Sequence, residues 1–175
     1  MAKALFLDRD GVLNVDKGYV SQIDDFEFIS GVFDVLRQAQ EQGYSLFIIT
    51  NQSGIARGLY TETDYHRLTE WMLGQFANES ITISKVYYCP YHSEGTIPEF
   101  TQASNLRKPN PGMLLLAQQE HELSLEESML IGDKETDIEA GTRAGVATTI
   151  LVCAESERET KADYTVTSIR ELPKL

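Results

Sequence analysis

Short apolar runs alternate along this chain with longer segments whose apolar residues recur every three or four positions. The runs predict buried strands, and the periodic segments predict amphipathic helices. Strands are expected at 4–7, 44–49, 83–88, 128–131, 148–152 and, at an edge of the sheet, 164–166. Helices are expected at 31–42, from 61 to about 76, at 113–123 and around 138–144. Because strands and helices take turns, we expect a Rossmann-like α/β fold, with a doubly wound, mainly parallel sheet and helices on both faces.

The first apolar run ends in two carboxylates, Asp8 and Asp10, followed by Gly11. The glycine indicates a turn, so the carboxylates are expected at the C-terminal end of a strand, where open α/β sheets bind ligands. Two close carboxylates repel each other, and a hard divalent ion such as Mg²⁺ offsets this repulsion while leaving room for phosphate oxygens. An ordinary turn that closes a strand fits the same residues.

Polar groups follow other predicted strands in the same way. The second strand leads into 50–54, which offers hydroxyl, amide and backbone donors to a phosphate. Arg107 and Lys108 form a basic corner beside two prolines, and Asp133 and Lys134 follow the fourth strand. Because parallel strands end at one edge of a sheet, these groups are expected to converge on the first two carboxylates.

This set of groups suits phosphoryl transfer through an aspartyl-phosphate. Asp8 is expected to attack phosphorus, while Asp10 protonates the leaving oxygen and later activates water. The Mg²⁺ ligands are expected to be Asp8, Asp10 through its backbone carbonyl, and Asp133. Thr50 and Lys108 complete the expected catalytic set, because they are placed to bind the equatorial phosphate oxygens.

The segment 14–28 lacks a lasting period, which predicts a loop or a small flap over the carboxylates. Asp16, Lys17, Gly18 and Tyr19 would then touch a substrate. A surface hairpin without a role fits the same segment, and both interpretations stay open.

Composition narrows the classes of partner. The net charge of −12 makes non-specific binding to nucleic acid or to an anionic membrane unfavourable, so an anionic substrate must be small and met by local cations. Two distant cysteines without CxxC spacing favour a reducing cytoplasm, and neither a signal peptide nor a membrane-spanning run is expected. At 175 residues, 1–175 is expected to form one domain.

The four segments, in order, resemble the motifs of the haloacid dehalogenase (HAD) superfamily of phosphatases: 8–11, Thr50-Asn51, Lys108 and 132–137. Within it, the segments 14–20, 50–58 and 107–113 are similar to the heptose 1,7-bisphosphate phosphatases, with histidinol-phosphate phosphatases as near relatives. The resemblance implies a HAD-like core without a large cap domain, an Asp8 nucleophile, an Asp10 acid/base and Mg²⁺ at Asp8, Asp10 and Asp133.

The resemblance further implies an enzyme that removes the 7-phosphate of D-glycero-D-manno-heptose 1,7-bisphosphate, a lipopolysaccharide precursor, with the β anomer as the first expectation. We also expect a cytoplasmic monomer. A histidinol-phosphate phosphatase or a broader sugar phosphatase stays open, as does a phospho-acceptor signalling domain. The implied substrate contacts are Asp16, Lys17, Gly18, Tyr19, Thr50, Asn51, Gln52, Ser53, Arg107, Lys108 and Lys134.

One segment departs from the family pattern. Many family members carry a zinc loop patterned CxH and then CxC just before the Arg-Lys pair. Here Cys89 stands, but Tyr91 occupies the histidine position, and Ser104 and Leu106 replace the later cysteines. His92 lies one residue off and could not complete four ligands by itself. We therefore expect no structural zinc.

Overall fold

The computed structural model describes residues 1–154 and 159–172. Strands and helices alternate along these ranges, except that no helix is described between the last two strands. The elements are β1 (Ala4–Leu7), α1 (Val32–Glu41), β2 (Ser45–Asn51), α2 (Glu62–Asn78), β3 (Ile83–Cys89), α3 (Gly112–His121), β4 (Met129–Gly132), α4 (Glu135–Ala144), β5 (Thr148–Val152) and β6 (Tyr164–Val166). Single helical turns cover Ile23–Asp25, Pro98–Phe100, Leu125–Glu127 and Ile169–Glu171.

The strands form one sheet in the order β3-β2-β1-β4-β5-β6, and every neighbouring pair is parallel. The strand order reverses direction at β1, between β2 and β4. In such sheets the crevice beside the reversal binds ligands. The position of the expected carboxylates directly after β1 therefore places them at the ligand-binding edge.

Two apolar cores cover the two faces of the sheet. Side chains that alternate along β1 divide between them: Leu5 and Leu7 join the core of α1 and α2, whereas Ala4 and Phe6 join that of α3 and α4. This alternation follows from the two-residue period of a strand. The doubly wound α/β fold with helices on both faces is confirmed, and the described ranges contain no large cap domain.

Local signals in the sequence explain where the helices begin and end. Thr61 caps α2, and it forms a reciprocal capping box with Asp64. Gly43 follows α1 with a φ of 83°, a left-handed conformation that suits glycine at a helix end. Of the helices in the described ranges, none has the length and apolar character that crossing a bilayer requires.

The end of β2 differs from the prediction. Thr50 and Asn51, expected just beyond the second strand, are its last residues, because they continue the ladder opposite Tyr88 and Cys89 of β3. The polar side chains thus stand on a rigid strand. The segment 14–28 is the expected loop, closed at its base by an antiparallel bridge between Asn14 and Phe28.

Candidate active site

The ends of β1 and β4 bring two predicted carboxylates into contact range. The amide of Asp8 donates to the carbonyl oxygen of Ile131 in β4 at 3.0 Å, which fixes the chain as it leaves β1. Gly11 has a φ of 89°, and a Cβ there would lie 2.2 Å from Oδ2 of Asp133. The glycine is therefore needed both for the turn and for the close approach of Asp133.

Lys108 lies at the centre of the site. Its side chain is 3% exposed, and its Nζ lies 2.9 Å from Asp8 Oδ1, 2.7 Å from Asp137 Oδ1 and 2.8 Å from the carbonyl oxygen of Ile49. Burial alone would lower the pKa of Lys108, but the charges of Asp137 and Asp8 outweigh burial and raise it. Lys108 therefore stays protonated and holds the nucleophile candidate in place.

Three carboxylates form a cluster that suits a cation. One oxygen each from Asp8, Asp133 and Asp137 lies within 4.8 Å of the others. Burial, and then the charge of Asp137, raises the pKa of Asp8 well above its usual value, although Lys108 opposes the shift; burial also raises that of Asp133. Oδ1 of Asp133 is buried without a hydrogen-bond partner. A hard divalent cation fits this set, because it needs oxygen ligands and would offset the repulsion.

Asp137 is a site residue within the 132–137 motif for which the sequence predicted no role of its own. It lies in the first turn of α4, and its Oδ2 accepts from the amides of Asp133 at 3.2 Å and Lys134 at 3.0 Å. A Cβ on Gly132 would lie 2.2 Å from the Asp137 Cβ, so the motif is built around this contact. The signal in the sequence was an acid placed where it can cap a helix, three residues after Lys134.

The carboxylate of Asp10 is held by three neighbours. Arg9 donates to both oxygens, at 2.9 and 3.1 Å, Asn14 donates to Oδ1 at 3.0 Å, and Gln52 donates to Oδ2 at 3.3 Å. This carboxylate is not part of the three-carboxylate cluster. A role for Asp10 as a metal ligand through its carbonyl, and as acid/base through its side chain, stays a prediction.

The residues at the end of β2 have different partners. The Asn51 amide forms reciprocal bonds with the backbone of Lys108, at 3.0 and 3.1 Å, and so fixes the position of that lysine. Thr50 is buried and its Oγ1 accepts from Gln52 at 2.9 Å. Gln52 and Ser53 line the same cavity as Asn51, whereas Thr50 does not.

The flap reaches the site from the opposite side. Asp16 accepts from the amide of Gly18 at 3.0 Å and lies 3.5 Å from Nζ of Lys134. Tyr19 is 51% exposed and lines the cavity together with Asp16 and Gly18. Lys17 instead pairs with Glu27 at 3.1 Å and does not line the cavity, so the geometry does not support its predicted substrate contact any more than that of Thr50.

The loop between β3 and α3 brings Arg107 to the cavity wall. Its Nη1 is buried without a partner. Nearby, Nη2 of Arg57 lies 3.2 Å from Nε2 of His92, whose Nδ1 accepts from the amide of Glu94 at 3.0 Å. Burial lowers the pKa of Arg107, and the positive charge of Arg57 adds to this shift. Half-buried cations with unsatisfied donors favour an anionic ligand here.

These elements enclose a cavity of about 410 Å³ at the reversal point of the sheet. Most of its wall is polar or charged. The lining residues are Asp8, Arg9, Asp10, Asp16, Gly18, Tyr19, Asn51, Gln52, Ser53, Tyr60, Arg107, Lys108, Lys134, Thr136 and Asp137. Arg9, Tyr60 and Thr136, like Asp137, were not predicted as site residues.

A parallel sheet with a carboxylate nucleophile candidate after β1, a buried lysine and an acidic cluster defines a hydrolase of the HAD type. The family model described as HAD-hydrolase-like matches residues 105–172. A D,D-heptose 1,7-bisphosphate phosphatase from B. bronchiseptica, solved with magnesium and phosphate, has the same fold at a TM-score of 0.82 and 23% identity, over 96% of this chain and 94% of that one.

Curated relatives define the family more closely. The chain is 52% identical to a D-glycero-alpha-D-manno-heptose-1,7-bisphosphate 7-phosphatase of Burkholderia mallei, over 86% of this chain and 80% of the relative. It is 45% identical to a D-glycero-beta-D-manno-heptose-1,7-bisphosphate 7-phosphatase of Salmonella typhi, over 97% and 93%. The chain belongs to the family of D-glycero-D-manno-heptose-1,7-bisphosphate 7-phosphatases.

Proposed function

We propose that this protein removes the 7-phosphate from D-glycero-D-manno-heptose 1,7-bisphosphate, a step in the formation of a lipopolysaccharide precursor. The observation that carries the substrate assignment is identity of 45% or more with family members along most of the chain. The β anomer is the first candidate, since the enterobacterial relatives are named for it, and the α anomer, for which the Burkholderia relative is named, is the second.

The geometry supports hydrolysis through an aspartyl-phosphate. In the first half-reaction, an oxygen of Asp8 bonds to phosphorus, the bond to the sugar oxygen breaks, and Asp10 gives its proton to that oxygen. In the second, Asp10 takes a proton from water, whose oxygen bonds to phosphorus as the bond to Asp8 breaks. Lys108, 2.9 Å from Asp8, offsets the negative charge on the transferring group.

Asp8 and Asp133 are the carboxylates that we assign to Mg²⁺, together with the backbone carbonyl of Asp10. The buried, unpartnered Oδ1 of Asp133 supports this assignment, because such an atom needs a cation or a donor. Mg²⁺ bound there supplies positive charge between the nucleophile and the phosphate. Asp137 is the third acid of the cluster, but it pairs with Lys108 at 2.7 Å and therefore serves to position that lysine.

Substrate contacts are assigned to the cavity wall. The flap residues Asp16, Gly18 and Tyr19 face the sugar, and Arg107 with Lys134 supplies positive charge for anionic groups. Thr50, which is buried behind Gln52, supports the wall without lining it. We further propose that 1–175 acts as one domain and as a cytoplasmic monomer.

Phosphate release from a panel of esters tests the substrate assignment. The panel holds both anomers of the heptose bisphosphate, histidinol phosphate and several hexose phosphates. We expect the specificity constant for one heptose anomer to be at least about a hundredfold higher than for histidinol phosphate or the hexose phosphates, which corresponds to about 3 kcal/mol of transition-state discrimination. An equal rate across the panel would contradict the substrate while leaving the hydrolysis, and preference for histidinol phosphate would reassign it.

Magnesium is expected to stabilise the fold in a pH-dependent way. Because the pKa values of Asp8 and Asp133 are raised from 3.8, these two carboxyls contribute stability to the metal-free protein that is fully present below that value and is lost as pH rises through the raised values. Mg²⁺ binds the ionised carboxylates, so its effect grows over the same window. At a Mg²⁺ concentration a hundred times its dissociation constant, we expect the free energy of unfolding to rise by about 2.7 kcal/mol, which corresponds to a rise in Tm of roughly 5 to 10 °C.

Thermal unfolding with and without MgCl₂ at pH 5 and pH 7.5 measures this effect. Asp133→Asn should lose most of the stabilisation. Asp34→Asn is the matched control, because the Asp34 side chain is 83% exposed and pairs with Arg37 instead of a member of the cluster. An equal rise in Tm for wild type and Asp133→Asn would place the metal elsewhere.

A further inference from the structure

Gln52 joins the carboxylate of Asp10 to the hydroxyl of Tyr60. Its Nε2 donates to Oδ2 of Asp10 at 3.3 Å and to Oγ1 of Thr50 at 2.9 Å, and its Oε1 accepts a hydrogen bond from the Tyr60 hydroxyl. The Gln52 side chain is 2% exposed. The amide is therefore held on both sides, between Asp10 and Tyr60.

Tyr60 is itself fixed by close packing. A Cβ on Gly54 would lie 2.1 Å from Cε1 of the Tyr60 ring, so the ring lies against the backbone at that glycine. Ile55 and Tyr65 pack with Tyr60 in a small apolar cluster at this side of the site. A rigidly held hydroxyl that ends on a buried amide is suited to position that amide.

The other two residues that contact the Asp10 carboxylate act only as hydrogen-bond donors to it. Arg9 can only donate, and its Nη2 also donates to the carbonyl oxygen of Val20 at 2.7 Å. The Asn14 amide is fixed by a second bond to the carbonyl oxygen of Val15 at 3.1 Å, so its nitrogen must face the carboxylate. Arg9 and Asn14 therefore fix the position of the Asp10 carboxylate, but the groups that face it cannot accept a hydrogen bond from it.

Gln52 has partners of a different kind. The hydroxyls of Thr50 and Tyr60 can each donate or accept, so the amide can donate to an ionised Asp10 and, with its oxygen and nitrogen exchanged, accept from a protonated Asp10 while keeping both hydroxyl contacts. An amide with this freedom supports a carboxyl group that gives up a proton in one half-reaction and regains it in the other. Gln52 can therefore both donate to Asp10 and accept from it, whereas Arg9 and Asn14 can only donate.

We propose that Tyr60 and Gln52 are positioning residues for the carboxyl group of Asp10, with Tyr60 acting through Gln52. The proposal rests on the proposed function only in taking Asp10 as the group that exchanges a proton with the leaving oxygen and with water. It gives Tyr60, which the sequence did not indicate, a part in the reaction. It also replaces the expected substrate contact of Gln52 with a role behind the acid/base residue.

The test compares Gln52→Met and Tyr60→Phe with wild type on p-nitrophenyl phosphate, in the presence of Mg²⁺. This leaving group departs without a proton, so the first half-reaction proceeds and the defect falls on the attack by water. We expect kcat to fall about 10- to 100-fold in Gln52→Met, with a burst of about one p-nitrophenolate per active site, a parallel fall in KM, and kcat/KM changed less than about twofold. Tyr60→Phe should show a smaller loss of the same kind.

The double variant Gln52→Met/Tyr60→Phe should be no slower than Gln52→Met, because Tyr60 acts through the amide. Tyr88→Phe is the matched control: its hydroxyl donates to Glu62 at 2.6 Å and lies outside the site, so kcat should be unchanged. A raised KM with unchanged kcat and no burst would show that Gln52 contacts the substrate and would overturn the proposal, as would fully additive losses. A failed substrate panel would not affect this result, since the test uses a generic ester.

Discussion

Asp8→Asn is expected to lower the rate of phosphate release by about 10⁴-fold or more, because an amide cannot form the acyl phosphate through which hydrolysis is proposed to run. Asparagine has nearly the same shape as aspartate, and its oxygen can still accept from Lys108, which lies 2.9 Å from Oδ1 of Asp8. The loss would therefore reflect chemistry and not a displaced lysine.

Stability gives the control for this variant. Burial raises the pKa of Asp8, so the ionised side chain costs free energy of folding that a neutral amide avoids. At pH 7.5 without magnesium, Asp8→Asn should therefore unfold at the same temperature as wild type or at a higher one. Turnover within tenfold of wild type would reject Asp8 as the nucleophile, and a large fall in Tm would leave Asp8→Glu as the variant to compare.

The fold could be predicted because it depends on signals that repeat along the chain. The apolar runs that became β1 and β4 are short, uninterrupted and followed by acids, which is typical of buried parallel strands. The helical stripe of α2 and its cap at Thr61 are equally local. Asp8, Lys108 and Asp133 could be placed for the same reason, since each follows a predictable strand or turn.

The parts of the site that were missed depend on contacts distant in the sequence. Asp137 lies on a helix, and only the packed structure brings it 2.7 Å from Lys108. Tyr60 reaches Gln52 because Gly54 leaves room for its ring, which no period or spacing indicates. Lys17 shows the reverse: a cation beside the predicted site pairs with Glu27 instead of lining the cavity.

Lys108→Met is expected to lower both activity and stability. The lysine supplies a charge-assisted donor next to the nucleophile, and removing such a donor typically costs about 10²- to 10³-fold in kcat. It is also the buried cation between Asp8 and Asp137, whose side chains are 9% and 2% exposed. Removing one partner of a buried ion pair costs about 3 to 5 kcal/mol, because the remaining charge stays buried and unpaired.

The pH dependence of this loss separates charge from packing. The charge of Lys108 lowers the pKa of Asp8, so its removal lets that pKa rise further. A raised carboxyl pKa gives stability at low pH that is lost as pH rises, and the deficit of Lys108→Met should therefore be largest near neutral pH and shrink toward pH 4. A deficit that is equal at every pH would point to lost packing of the side chain instead.

Lys85→Met is the matched control for Lys108→Met, since it removes the same group from an ion pair with Glu120 whose lysine is 43% exposed. An exposed pair contributes about 0 to 1 kcal/mol, so this variant should keep wild-type kcat and nearly wild-type stability.

Magnesium should restore part of the stability of Lys108→Met, because a divalent cation bound to Asp8 and Asp133 replaces the missing positive charge near the carboxylates. If magnesium stabilised Lys108→Met less than it stabilises wild type, the lysine and the metal would depend on each other instead of sharing the same charge.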